Sequence, residues 1–295
     1  MDPQHDVRPL AHGTEVGAYR IGDRIGRGDA GITYAAIRRS DGRRVAIKEY
    51  APRGGAVRRD DNALVPWPAA TAERFHQGRR RFHREAALLC ELDHPNIVRA
   101  RECREANGTA YLIMDHYAGY SLAELIGDPG FIDELEIRAI IAPLCDALRY
   151  LHRRGVIHRD LKPANIIVRE DGRPMLIDFG AAARGDDSAA DDVSITSRCY
   201  CPCERYSRRV SDQGPWTDLY ALGATLYSVI SGTQPIDAPT RRRHLQATGH
   251  DPLVTAASRL AGRYSDRLLS AIDQALALNP RARPATINAW HDALD

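Results

Sequence analysis

No run of about 18 consecutive apolar residues occurs in this 295-residue sequence, so no segment reads as a membrane-spanning helix. The opening stretch, MDPQHDVRPLAHGTEVG, lacks the basic start and apolar centre of a secretory signal. Residues 1–18 are expected to form a disordered lead-in. Strong charge of either sign is missing too. With 41 Lys and Arg against 39 Asp and Glu, the net charge of +2 leaves no electrostatic footprint for nucleic acid. Cysteine is scarce: Cys90, Cys103 and Cys145 are scattered, which argues against a disulfide framework and fits a reducing cytoplasm. No internal repeat is found. What remains is a chain 43% hydrophobic and 27% charged, long enough to bury the core of one large or two small domains. It ends soon after its last periodic segment, so it reads as a cytoplasmic domain of something longer.

The hydrophobic period changes along the chain. Residues 18 to 50 read as short strands with glycine turns, and RRVAIKEY is an alternating, β-branched strand behind the turn signal Asp41-Gly42. Residues 51 to 70 contain Pro52, Gly54, Gly55, Pro66 and Pro68 and are expected to be irregular. A helix should follow, capped by Thr71, with Phe75, Phe82, Ala86 and Leu89 on its buried stripe. TAYLIMDHY reads as another strand. Beyond it come an amphipathic helix over 134–153, kinked at Pro143, and a hairpin about Asp171-Gly172. Further helices are expected at 217–231, 266–277 and 284–294. Strands first and helices later predict an α+β arrangement of two unequal lobes.

Several motifs carry chemistry. IGRGDAG places Gly26, Gly28 and Gly31 in G-x-G-x-x-G spacing, between two strands rather than at the start of a helix, which argues against a dinucleotide fold. Without Cβ atoms in the way, such a loop brings backbone N–H groups close to phosphates. Lys48 follows in VAIK. HRDLKPAN then occupies 158–165, and DFG 178–180. In order and spacing this set resembles the eukaryotic-type protein kinases over residues 19–294. GITYAA, VAIKEY, RFHREA, HPNIV, LIDFGAA and GPWTDLYALGATLY narrow the likeness to bacterial serine/threonine protein kinases, and Lys162, two residues after Asp160, is the serine/threonine-type choice.

The resemblance implies a two-lobed fold around a nucleotide cleft: a strand-rich lobe over about 19–114, a hinge at 115–118 and a helical lobe over 119–295. It implies ATP and Mg²⁺ as cofactors, with Mn²⁺ as the alternative ion, and Ser/Thr-bearing proteins as substrates, the chain itself among them. In this reading Lys48 holds the α- and β-phosphates and is oriented by Glu85, with Glu73 as the rival carboxylate. Asp178 and Asn165 hold the metal, Asp160 takes the substrate hydroxyl's hydrogen, and Lys162 neutralises the transferring group. Adenine lies against Ile25, Ala46 and Ile167, with Met114 behind and the backbone of Asp115 and Tyr117 supplying hydrogen bonds. His158 and Phe179 pack internally. Two other readings stay open: a pseudokinase scaffold, and a small-molecule phosphotransferase.

CYCPCERY spaces Cys199, Cys201 and Cys203 at alternate positions, one face of an extended segment. In the resemblance it matches a G-Y-x-P-x-E-Q-Y docking pattern through Tyr200, Pro202, Glu204 and Tyr206, departing at Cys199 and Arg205. Glu204 is expected to pair with Arg283, buried. Packing is favoured for the thiols over redox sensing and over a metal clip, because the C-x-C-x-C run lacks zinc-type spacing. In the preceding loop, Ser194 and Thr196 are expected phosphosites facing Arg159, and Ser197 a docking hydroxyl that bonds Asp160 and Lys162. The five arginines within 74–84 and TRRRHL at 240–245 are expected to be solvated, the latter as a loop.

Overall fold

The structure, a computed structural model, describes residues 6–67, 72–126, 132–184, 195–207 and 209–294. It divides into two compact units. The first holds the residues up to Asp93 together with Val98–Tyr117; the second holds His94–Ile97 and everything from Ala118 onward.

The first unit is built on an antiparallel sheet. Its strands are β1 (Glu15–Val16), β2 (Tyr19–Arg27), β3 (Gly31–Arg38), β4 (Arg44–Tyr50), β7 (Ala100–Ala106) and β8 (Thr109–Asp115), in the order β1-β2-β3-β4-β8-β7. A small hairpin, β5 (Ala56–Arg58) with β6 (Leu64–Pro66), and one helix, α1 (Ala72–Glu91), complete it. Thr71, the expected cap of α1, lies outside the described residues. Phe75, Phe82, Ala86 and Leu89 are its buried stripe, as the spacing predicts. In the register of β4, Lys48 stands opposite Thr33 and Leu112, and Ala46 opposite Ala35 and Met114. These residues therefore share one face of the sheet.

The other face of the sheet corrects two expectations. Glu49, fully buried, accepts hydrogen bonds from Tyr34 at 3.0 Å, Tyr111 at 3.0 Å and Arg58 at 2.6 Å. Arg58 in turn donates to the carbonyls of Arg8 and Asn62. The stretch 51–67, expected to be irregular, thus contains a hairpin that delivers Arg58 to Glu49. The stretch 6–18 is ordered rather than a loose lead-in: Val7, Leu10 and Val16 are buried, and the Leu10 N–H donates to the Tyr34 hydroxyl. The cause is the same for both. A buried carboxylate needs a cation, and the apolar residues of these segments cover the sheet around it.

The second unit is mainly helical: α2 (Glu134–His152), α3 (Pro215–Ser231), α4 (Ala238–Thr248), α5 (Ala256–Leu260), α6 (Asp266–Ala275) and α7 (Ile287–Asp292). Asp133 and Glu136 cap α2 reciprocally at 2.8 and 2.9 Å, and the helix runs on through Pro143. Every residue of α3 from Thr217 to Ser231 is buried, the mark of a central helix that is apolar all round. Gly223 lets it approach α6, since a Cβ there would lie 2.7 Å from that of Ala275. Short strands β9 (Gly119–Ser121), β11 (Ile166–Arg169) and β12 (Pro174–Leu176) form a three-stranded sheet, and β10 (Val156–Ile157) pairs with β13 (Ala183–Arg184). The β11–β12 hairpin turns at Gly172, whose φ is +78°.

TRRRHL is helical, within α4, and not wholly solvated. Arg241 is 3% exposed and bonds Asp251 at 2.7 and 3.0 Å, Tyr220 and the Leu276 carbonyl. CYCPCERY is not extended either. Two 3-10 turns, Ile195–Tyr200 and Cys203–Tyr206, flank Cys201-Pro202, so alternation does not put the three cysteines on one face.

Candidate active site

In the first unit, Lys48 Nζ lies 2.7 Å from Glu85 Oε1. Strand β4 presents the ammonium and α1 the carboxylate, both largely shielded from water, at 15% and 9% side-chain exposure. The rival Glu73 sits on the exposed face of α1 and accepts from Gln77. The glycine loop divides into two kinds of position. Gly31 is demanded by packing, because a Cβ would meet the Glu49 carbonyl at 2.4 Å. Gly26 and Gly28 are not: a Cβ at either would find nothing nearer than 3.4 Å. Arg27, which sequence reasoning passed over, holds the loop by donating to the carbonyls of Gly28, Gly31 and Ala51 at 3.0, 3.1 and 2.8 Å. Ile25 is half exposed, while Ala46 and Met114 are buried. The Asp115 N–H is committed to the Arg99 carbonyl, so only the carbonyl of Asp115 could serve a ligand. Its side chain pairs with Arg43 and Arg101.

In the second unit a compact cluster surrounds Asp160. Lys162 Nζ donates to Asp160 Oδ2 at 3.0 Å and to the Ser197 hydroxyl at 2.8 Å. Asn165 Nδ2 donates to the Asp160 carbonyl and to Oδ2 at 2.9 and 3.0 Å. The Asn165 carbonyl accepts the Ile177 N–H at 3.1 Å, which brings the strand end carrying Asp178 beside it. Asp178 Oδ1 accepts the Gly180 N–H. Ile167 lies on β11. His158 and Phe179, both fully buried, meet with ring centroids 4.7 Å apart, and burial holds the imidazole below its ordinary pKa. They pack, as expected.

Asp218 organises this cluster, and sequence reasoning assigned it no role. It is a fully buried carboxylate in the apolar run of α3 that accepts from the backbone N–H groups of His158 and Arg159 and from His152. A lone acid inside TDLYALGATL was the available signal. Glu204 and Arg283 form the expected buried pair at 2.6 and 3.3 Å. Ser194 lies outside the described residues, and Thr196 is exposed in the turn before Ser197.

Burial raises the thiols of Cys199, Cys201 and Cys203, that of Cys201 to about 12, so little thiolate forms near neutrality. Among the described residues, no group of three or more His, Cys, Asp and Glu is placed to hold a metal ion by itself.

The protein kinase domain family matches residues 19–294. The chain belongs to that family. This kinase domain is 32% identical to the serine/threonine-protein kinase pkn2 of Myxococcus xanthus over 94% of its own length and 32% of the relative's. It is 30% identical to Pkn1 of the same organism over 96% of the chain and 38% of the relative. With sperm motility kinase 2B of Mus musculus it shares 32% identity over 68% and 40%. It therefore spans about a third of the length of the curated relatives it matches. A solved structure, the PpkA-294 apo form, superposes with a TM-score of 0.86 at 35% identity, covering 97% of this chain and 99% of that one. Membership makes the architecture the two-lobed kinase fold and implies ATP, a divalent metal ion and protein substrates. No described helix is long and apolar enough to cross a membrane.

Proposed function

We propose that this kinase domain transfers the γ-phosphoryl group of ATP, with Mg²⁺, to serine and threonine hydroxyls of proteins, its own loop included. One observation carries the reading: a single ammonium, Lys162, joins the Asp160 carboxylate to Ser197 of the docking segment. Asp160 then accepts the hydrogen of an acceptor hydroxyl, and Lys162 offsets the charge spreading over the transferring group. Lys48, held by Glu85, offers a fixed cation to the α- and β-phosphates. The Gly28 N–H is given to the Gly31 carbonyl, so Gly26 and Gly28 serve the phosphates by leaving out Cβ atoms, in space that the fold does not otherwise need. Ile25, Ala46, Met114 and Ile167 supply apolar surface for adenine, and the Asp115 carbonyl and Tyr117 backbone its polar contacts.

The donor set suits Mg²⁺. With both Nδ2 hydrogens of Asn165 directed at Asp160, its side-chain Oδ1 is left for an ion, and Asp178 adds a carboxylate. Two hard oxygens fit an ion that completes its shell with water and phosphate. Held by Asn165 and Asp178, the ion would supply positive charge to offset that of the phosphates.

Radiolabelled phosphate transfer to generic protein substrates tests the reading, beside Asp160→Asn and Asp178→Asn controls that keep the parent's melting temperature. Transfer that disappears in both controls is the expected result. A parent that binds ATP yet transfers nothing would establish the scaffold instead, and transfer to small molecules alone the third alternative.

A further inference from the structure

Among the described residues, Arg205 is a buried cation without an anion. It is 3% exposed, and its Nε and Nη1 have no hydrogen-bond partner there. Nη2 carries no hydrogen bond among the described residues and is not enclosed. Leaving a guanidinium so placed costs stability, because its lost hydration is not replaced. Folds retain such a group where something else completes it.

The surroundings indicate what that is. Arg205 sits in the 3-10 turn Cys203–Tyr206, within the segment that Ser197 and Lys162 tie to Asp160. The acids of that segment are already engaged: Glu204 by Arg283 and Thr217, and Asp212 by Ser207. Arg198 and Arg209, both exposed, have no acidic partner among the described residues. Among its described residues the docking segment therefore holds three arginines, Arg198, Arg205 and Arg209, and no available carboxylate. The sequence pattern it otherwise follows has an uncharged glutamine where Arg205 stands.

We propose that Arg205 is a specificity-determining residue that takes a carboxylate or phosphate carried by the protein substrate close to its acceptor hydroxyl. The inference rests on the protein-kinase reading and names the substrate class of that site: serines and threonines set among acidic or already phosphorylated residues. The chain contains such a sequence itself, since Asp186, Asp187, Asp191 and Asp192 flank Ser188 and precede Ser194. A guanidinium suits both anions through paired N–H donors, and a neutral glutamine would not reproduce the charge.

The test uses fluorescent peptides with one acceptor serine, in which Glu, phosphoserine, Ala or Lys is placed in turn at three positions on each side. Binding is read by anisotropy and transfer by kcat and KM, for the parent, Arg205→Gln and Arg205→Lys. At one or more positions the parent should favour Glu or phosphoserine over Ala by about tenfold, in KM and affinity rather than kcat. Arg205→Gln should shrink that ratio to under about twofold, with Arg205→Lys between the two. A parent indifferent to acid at every position overturns the proposal, as does an unchanged preference in Arg205→Gln. Preference for Glu separates a carboxylate source from a phosphate source. Because anisotropy needs no turnover, a chain that labels no peptide would count against the kinase reading while binding still decides the role of Arg205.

Discussion

Asp218 accepts the backbone N–H of Arg159 at 2.8 Å, and Arg159 has a left-handed φ of +67°. A non-glycine residue persists in that conformation only where its surroundings hold it. The second Asp218 oxygen bonds the His158 N–H at 2.9 Å and His152 at 2.8 Å. A buried carboxylate thereby fixes the two residues that lead into Asp160.

Replacing Asp218 by Asn should therefore weaken both fold and turnover. Burial alone would raise its carboxyl; the bond from His152, the charges of His152 and His158 and the Arg159 N–H outweigh burial and hold it below 3.8. The charge contributes fully above that pH and is lost as pH falls through the depressed folded value. Thermal melts should show the parent well above Asp218→Asn at pH 7, the gap closing below about pH 3.8. A gap constant with pH would refute the ionised role.

Arg283→Met leaves Glu204 buried without its cation, and the cost should be about 3–5 kcal/mol. Glu204→Gln together with Arg283→Met should cost less than the two single changes summed, because no bare charge is then buried. Urea unfolding of the four proteins in the cycle measures the coupling.

Lys48→Arg and Glu85→Gln should each lower kcat/KM for phosphate transfer by about 100-fold or more while leaving thermal stability near the parent's. A planar guanidinium cannot occupy the point-charge position that Glu85 holds at 2.7 Å. Activity within a few-fold of the parent would remove Lys48 from the phosphate site.

Iodoacetamide mapping by mass spectrometry near pH 7.5 should modify exposed Cys90 first. Cys201 and Cys145, both pushed up to about 12 by burial, should react last. Brief peroxide should leave Cys201 a thiol. Rapid oxidation there would restore the redox reading of CYCPCERY.

Incubation with ATP and Mg²⁺ should place phosphate within residues 188–196, and Asp160→Asn should acquire none. Thr196 is exposed in the described turn, whereas Ser197 is buried and bonded to Lys162, so Ser197 should stay unmodified. An active enzyme with an unphosphorylated loop would leave its aspartates as the ordering charge.

The motifs were legible because phosphoryl transfer constrains residue type and spacing together. The sequence alone singles out Lys48, Asp160, Asn165 and Asp178 as candidates, and it favours Glu85 over Glu73 as the partner of Lys48, the contact that lies at 2.7 Å. What escaped depends on contacts far apart in the chain. No local pattern announces that Arg58 in a proline- and glycine-rich stretch reaches Glu49, or that Arg241 in a basic run folds back on Asp251. Alternation was a poor guide to CYCPCERY because Pro202 and the adjoining 3-10 turns break the extended backbone that alternation presumes. Helix α7 begins at Ile287 rather than 284 because Thr286 caps it, its hydroxyl taking the Ala289 N–H.

Lys48 and Lys162 are the only lysines in the 295 residues, beside 39 arginines. Both are engaged, one with Glu85 and the other with Asp160 and Ser197, at 15% and 13% side-chain exposure. Positive charge elsewhere is carried by guanidinium, so a compact ammonium is confined to these two places. The side-chain amines of these 295 residues thus number two, and both belong to the proposed chemistry. Amine-directed dyes, crosslinkers and resin couplings, harmless on most proteins, would here act as active-site reagents. If Lys48 holds nucleotide as proposed, bound nucleotide should slow their attachment there, which would report the occupancy of the site without any assay of turnover.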